Sequence, residues 1–331
     1  LAFANTLRAM DEGVEYIDAT LTGMGRGAGN LATEQILLWM QNRGDESERY
    51  HSSRVLDVIH DFFQPLKEQY RWGFNYVYML SGLSNTHPVY CMELCDGNRF
   101  SMSNISAILG NIPQEKRAAF SREALGEAIN ATPRGGGSGD ELLPVADLAA
   151  IPADGPACLV VSTGPGIEAF SDAIDNLLRR RGLPVLECND TGILHSFPER
   201  LGVVLNAMRL GEITRKDSGM PRRIVTGEKR FESAIDCELL HFPFRIGPHE
   251  IDNDSISLPD FEAGQYAISL ALALGYREIY LAGFNGYDVP HRNTAMERYF
   301  TAVIDMPENP RLIAITPTRY TNLDQRSIFT L

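Results

Sequence analysis

The opening residues, "LAFANTLRAMDEG", place apolar side chains at 1, 3, 4, 7 and 10, the spacing of one helix face. "VEYIDAT" (14–20) reads as a strand, and the small-residue loop "GMGRGAGN" (23–30) leads into an amphipathic run, "LATEQILLWMQNRG", that ends at Gly44. That order belongs to a parallel α/β layer, since parallel strands need a helical crossover. From 45 to about 130 the pattern turns helical, in "RVLDVIHDFFQPLKEQY", "GFNYVYMLSGL" and "PQEKRAAFSREALGEAI", punctuated by the turns "SNTHP", "CDGN" and "GNIP". No convincing strand is read there. "ATPRGGGSGD" (131–140) has the composition of a flexible connector, and the main boundary is placed at it. Beyond 150, apolar runs alternate with helical patterns: "ACLVVST", a helix from Ile167 to Arg181, "LPVLECN", a helical stretch at "PERLGVVLNAMRL", "RRIVTG", the helix "FEAGQYAISLALALG", "REIYLAGF", a helix near "NTAMERYFTAVI", and "RLIAIT". Such alternation predicts a doubly wound, mostly parallel sheet.

Composition narrows the function classes. The 331 residues are 44% hydrophobic and 22% charged, as in ordinary globular protein. A formal charge of −13 argues against nucleic acid as the main partner, because phosphate-backbone binding draws on clustered Lys and Arg. The basic run "RRRG" at 179–182 suits a helix C-terminus, where cations complement the dipole. Five scattered cysteines predict neither a disulfide framework nor a structural zinc site, and a reducing cytoplasm is expected. No long apolar run predicts a membrane span.

Asn30 stands just ahead of the second helix and allows two readings. Asn is a good N-cap, accepting from an early backbone N–H. Its carboxamide oxygen is also a hard ligand suited to magnesium or manganese. In the last region, "LVVSTGPGIEAF" sets a Thr-Gly-Pro-Gly turn between strand and helix, where backbone N–H groups favour an anion. It lacks the Walker lysine and a full GxGxxG pattern, and a plain βα turn is the simpler account.

The wording "LAFANTLRAMDEGVEYIDATLTGMGRGAGNLATE" resembles the last part of the catalytic barrel in the metal-dependent carbon–carbon bond family that includes hydroxymethylglutaryl-CoA lyase, isopropylmalate synthase and 4-hydroxy-2-oxovalerate aldolase. By that resemblance Asn30, in the "GxGN" step, is a ligand of a divalent metal (Mn or Mg); Asp18 of "IDAT" also matches, and its simpler role is that of a buried or strand-end carboxylate organising the loop. A full barrel needs about 250 residues. The family's HxH ligands and early Arg-Asp pair are not found in this chain, so the sequence is expected to be the tail of a longer protein, with an incomplete site in which Asn30 acts as a cap.

"FQPLKEQYRWGFNYVYMLSGLSNTHP" and "SMSNISAILGNI" resemble the helical C-terminal unit of 4-hydroxy-2-oxovalerate aldolases, which covers the barrel mouth and contacts a partner dehydrogenase. The resemblance implies a site tyrosine, offered by Tyr76 and Tyr78. It also implies a 2-oxo acid substrate cleaved to pyruvate and an aldehyde, with docking of a dehydrogenase or a second copy through the helical unit. The last region, strongest at "FEAGQYAISLALALGYREIYLAGFNGYD", resembles Rossmann-like bacterial sialyltransferases and pterin-pyrophosphokinase-like proteins. That resemblance places a nucleotide or nucleotide-sugar at Thr163, Gly164, Pro165, Gly166 and Asn189, with His291 as the nearest candidate for a catalytic histidine. Thr163 and Gly166 depart from the usual Asn and Ser.

The expected architecture is α/β: the truncated end of a TIM barrel (1–44), a helical domain (45–130), a flexible linker (131–150) and a doubly wound Rossmann-like domain (151–331). The expected activity of the intact protein is that of a metal-dependent aldolase, with a role in surface polysaccharide assembly. The alternatives are a glycosyl- or diphosphotransferase in the last region, or a non-catalytic binding module.

Overall fold

The computed structural model describes residues 2–331 except 26, 43–51, 71, 74–75, 96–99, 133–141, 216–218, 232–236 and 289, and the side chains of Met208 and His291. The chain separates into two units, residues 1–95 with 113–120, and residues 96–112 with 121–331.

The first unit begins with α1 (Ala2–Asp11), which buries none of its residues, and continues through the small-residue loop to α2 (Thr33–Gln41). The expected strand "VEYIDAT" forms no ladder among the described residues. Its one pairing is a parallel bridge from Thr20 to Ala32, and Tyr16 is 89% exposed. An isolated strand has nothing to bury its pleated face against, so the alternation alone does not make a sheet. The expected helix at 54–70 forms as α3 (Ser52–Val58) and α4 (Gln64–Tyr70), joined by a π turn over Ile59–Phe63. Pro65 cannot donate to the carbonyl four residues back, and the turn before it is widened to the π form. The unit closes with α5 (Tyr76–Leu83) and α6 (Pro88–Cys95). Tyr90, fully buried on α6, donates its hydroxyl to the Lys116 carbonyl at 2.8 Å and so ties in the segment 113–120.

The second unit takes up α7 (Met102–Asn111) and α8 (Arg122–Ala131), capped by Ser101 and Ser121, whose hydroxyls accept from Asn104 and Ala124. Both helices fall inside the stretch expected as a separate helical domain. Part of the expected linker, 133–141, lies outside the described residues. Residues 142–146, the next part, are docked: Ala146 N–H donates to the His241 carbonyl, and Val145 bridges His241 in parallel.

Along the chain follow β1 (Ala157–Val161), α9 (Ser171–Arg181), β2 (Val185–Cys188), β3 (Leu201–Val204), α10 (Ala207–Thr214), β4 (Arg223–Thr226), β5 (Glu238–His241), β6 (Phe244–Ile246), β7 (Glu250–Ile251), β8 (Ile256–Leu258), α11 (Ala263–Ala273), β9 (Glu278–Ala282), α12 (Pro290–Ile304), β10 (Arg311–Ala314) and β11 (Asp324–Gln325). Eight of these strands form one all-parallel sheet in the order β11-β10-β9-β1-β2-β3-β4-β5, while β6, β8 and β7 make a small second sheet. The chain runs outward from β1 to β5 and returns beside β1 at β9, so the order reverses between those two. Leu159 and Val161 of β1 pack with Ile174, Leu177 and Leu178 of α9 on one face. With a side-chain period of two, Cys158 and Val160 point to the other face, and both are fully buried. As expected, Arg179, Arg180 and Arg181 fill the last turn of α9, which Gly182 ends in a left-handed conformation. The stretch "PERLGVVLNAMRL" is not one helix: its apolar centre is β3 and only its end enters α10. No helix among the described residues is long and apolar enough to cross a membrane.

Candidate functional site

The small-residue loop of the first unit is closed by its own backbone. Gly23 N–H donates to the Thr20 carbonyl and Asn30 N–H to the Gly23 carbonyl, each at 3.0 Å. A Cβ on Gly29, whose φ is +83°, would lie 2.6 Å from the Gly23 oxygen, so only glycine allows that approach.

Within this frame Asn30 is not a cap. Ala32 occupies the N-cap position of α2 and supplies no side-chain bond, while Thr33 N–H is taken by the Thr20 carbonyl. Asn30 is three residues ahead of the first helical position, too early to reach the orphan N–H groups. Its amide nitrogen instead donates to the Met24 carbonyl at 3.0 Å, an oxygen that also accepts from the Thr20 hydroxyl at 2.8 Å. The donor half of the carboxamide is thereby fixed, and its oxygen has no hydrogen-bond partner among the described residues.

Of the two candidate tyrosines, the structure brings Tyr78 to this loop. Its ring lies 3.7 Å from where a Gly27 Cβ would stand, whereas Tyr76 is 61% exposed. Sequence reasoning missed Trp72, whose indole N–H donates to the Thr22 hydroxyl at 3.0 Å, fifty residues along the chain. Asp18 is exposed and makes no hydrogen bond among the described residues.

The described residues do not make a metal site by themselves. Asn30 offers one neutral oxygen, and the described residues hold no group of three His, Cys, Asp or Glu side chains able to share a cation. A lone carboxamide falls short of the four to six ligands that zinc or magnesium takes. Burial pushes the Cys91 thiol up to about 11 and raises those of Cys158 and Cys188 as well, holding all three protonated.

In the second unit, Thr163, Gly164, Pro165 and Gly166 follow β1 and Asn189 follows β2, all at the carboxyl end of the sheet where open parallel sheets bind ligands. Gly164 faces protein: a Cβ there would run into the Gly283 carbonyl and the Asn285 carboxamide, so the loops after β1 and β9 touch backbone to backbone. His291 lies in the first turn of α12, with its side chain outside the described residues. Glu262 occupies the N-cap position of α11 without a side-chain bond to the helix. It takes a bidentate contact from Arg292 at 2.7–2.9 Å and accepts from the Tyr287 hydroxyl at 3.0 Å, while the guanidinium lies 3.9 Å from the Tyr287 ring centre. Burial, with Glu262 beside it, raises the Tyr287 hydroxyl pKa, so the phenol stays a donor.

Residues 1–61 match the family described as HMGL-like. Over 44 residues the chain is 50% identical to an oxaloacetate decarboxylase of Mycobacterium tuberculosis (strain ATCC 25618 / H37Rv), 13% of this chain and 13% of that protein. Over 60 residues it is 35% identical to a 2-isopropylmalate synthase of Campylobacter fetus subsp. fetus (strain 82-40), 18% of this chain and 12% of that protein. The chain thus spans about an eighth of the length of the curated relatives it matches.

Proposed function

We propose that the first unit carries the Asn30 loop of a carbon–carbon lyase that cleaves a 4-hydroxy-2-oxo acid to pyruvate and an aldehyde. The observation that carries this reading is the tethered Asn30 carboxamide: its nitrogen is held by the Met24 carbonyl and its oxygen is left free to accept from a ligand. In such a cleavage the 4-hydroxyl loses its proton and the C3–C4 bond breaks. The bonding pair passes into a pyruvate enolate, which then takes a proton at C3. In this reading Asn30 Oδ1 orients the substrate and Tyr78, whose ring lies beside Gly27, exchanges a proton at the loop. No step is assigned to a metal, because these residues do not hold one by themselves.

The test is pyruvate release from 4-hydroxy-2-oxovalerate by the full chain, followed by coupled reduction to lactate, with and without added Mn²⁺. Release that Asn30→Ala abolishes supports the reading. Absence of release in both conditions, or an Asn30→Ala variant as active as its parent, overturns it.

A further inference from the structure

Thr22 is a β-branched residue at φ 56° and ψ 18°, in the left-handed region that such side chains avoid. A conformation of that kind persists only where the surroundings over-determine it. Here the N–H and the hydroxyl of Thr22 are both engaged. Its N–H donates to Glu34 Oε2 at 3.0 Å, its hydroxyl donates to the Leu21 carbonyl at 2.7 Å, and the same hydroxyl accepts the Trp72 indole N–H at 3.0 Å. Thr22 is 6% exposed, so water does not compete for these bonds.

The next residue is Gly23, whose carbonyl accepts the Asn30 N–H at 3.0 Å. A left-handed turn at 22 therefore sets the direction of the acceptor that holds Asn30. The chain touches the loop a second time one residue after Trp72, where the Gly73 Cα lies 3.0 Å from the Cβ position of Gly29. Trp72 and Gly73 thus grip both ends of the loop, at Thr22 and at the residue before Asn30.

We propose that Trp72 is a positioning residue for Asn30. Acting through the Thr22 hydroxyl, its indole N–H keeps the first turn of the loop left-handed and the Gly23 carbonyl aimed at Asn30. Glu34 secures the same turn from the N–H side. The functional meaning rests on the lyase reading above, while the positioning itself does not.

The test compares amide hydrogen exchange over residues 21–31 in the full chain. Trp72→Phe keeps the ring and removes the donor, and exchange at 23–31 is expected to rise about five- to tenfold, the size of one lost hydrogen bond. Thr22→Gly adopts the left-handed conformation without a Cβ, so Trp72→Phe on a Thr22→Gly background is expected to exchange within about twofold of Thr22→Gly alone. A ring that merely fills space predicts no such rescue. Unchanged exchange in Trp72→Phe, or a double variant as fast as Trp72→Phe, overturns the proposal. If Trp72→Phe does not fold, Thr22→Ala deletes the same bond from the other end while keeping the left-handed strain, and it must exchange about five- to tenfold faster than Thr22→Gly. Should exchange behave as expected and no pyruvate be released by the parent chain, the lyase reading falls and the positioning role stands.

Discussion

The side-chain amide of Asn30 donates to the Met24 carbonyl at 3.0 Å, and that one bond decides which half of the carboxamide faces outward. Asn30→Asp keeps an outward oxygen but loses the donor, and sets a carboxylate beside a carbonyl. Asn30→Ala loses both. Because Asn30 is exposed, each change is expected to shift unfolding by no more than about 1 kcal/mol. Trp39 and Trp72 both lie in the first unit, so tryptophan fluorescence in urea follows it directly. Pyruvate release is expected to be lost in Asn30→Ala and reduced in Asn30→Asp, so that activity and stability separate.

Local pattern carried much of this fold and little of its site. The apolar runs at β1, β2, β9 and β10, and the helices between them, were legible because strands buried on both faces read as continuous Val, Ile and Leu. β3 lies inside a stretch whose pattern predicts helix, because a four-residue apolar run carries no period of its own. The short strands β5 to β8 left no signal above their surroundings. At the loop, "GAGN" marked the position of Asn30, but its tether, the Tyr78 ring and the Trp72 donor come from tertiary contacts. The same holds for Glu262, which meets Arg292 thirty residues away. Such pairs are invisible to any window of helix or strand length.

Glu187 on β2 and Arg200 just before β3 form an ion pair with both side chains 1% exposed. Both groups are bonded further: Thr191 donates its N–H and hydroxyl to Glu187, and Arg200 donates onward to the Phe197 and Gly219 carbonyls. Removing one partner strands a charge in the interior, so Arg200→Met is expected to destabilise the second unit by about 3–5 kcal/mol. The double variant Glu187→Gln with Arg200→Met removes both charges and is expected to recover part of that loss. Urea unfolding followed by far-UV circular dichroism checks both; equal loss in the single and double variants would mean that geometry, not charge, governs the site.

The backbone contact between the loops after β1 and β9 makes a sharp steric prediction. A methyl group on Gly164 meets the Gly283 carbonyl, and one on Gly283, which sits at φ +76°, meets the Ser162 carbonyl. Either alanine variant is expected to cost about 3 kcal/mol or more, because backbone rather than a movable side chain must give way. Gly155 is the control: at φ +78° it has nothing within 4 Å, so Gly155→Ala is expected to cost only the left-handed penalty of about 1–2 kcal/mol. Similar losses in all three variants would show that conformation outweighs contact.

His249 supplies the pH dependence. Its ring nitrogen Nε2 lies 3.1 Å from the Ser269 hydroxyl, and the ring meets Tyr299 edge to face at 5.0 Å. Burial disfavours the imidazolium and holds the folded-state pKa below the ordinary value of about 6.5. As pH falls through that value the unfolded chain takes up a proton that the folded chain still refuses, so protons favour unfolding. The contribution of His249 is therefore full above about pH 6.5 and is lost as pH falls from there to the folded pKa, below which it changes no further. Urea midpoints measured by circular dichroism between pH 7.5 and 5.5 are expected to drop, and His249→Gln, which keeps a partner for Ser269 but does not titrate, is expected to flatten the slope. A variant with the parental slope would assign the effect to other groups.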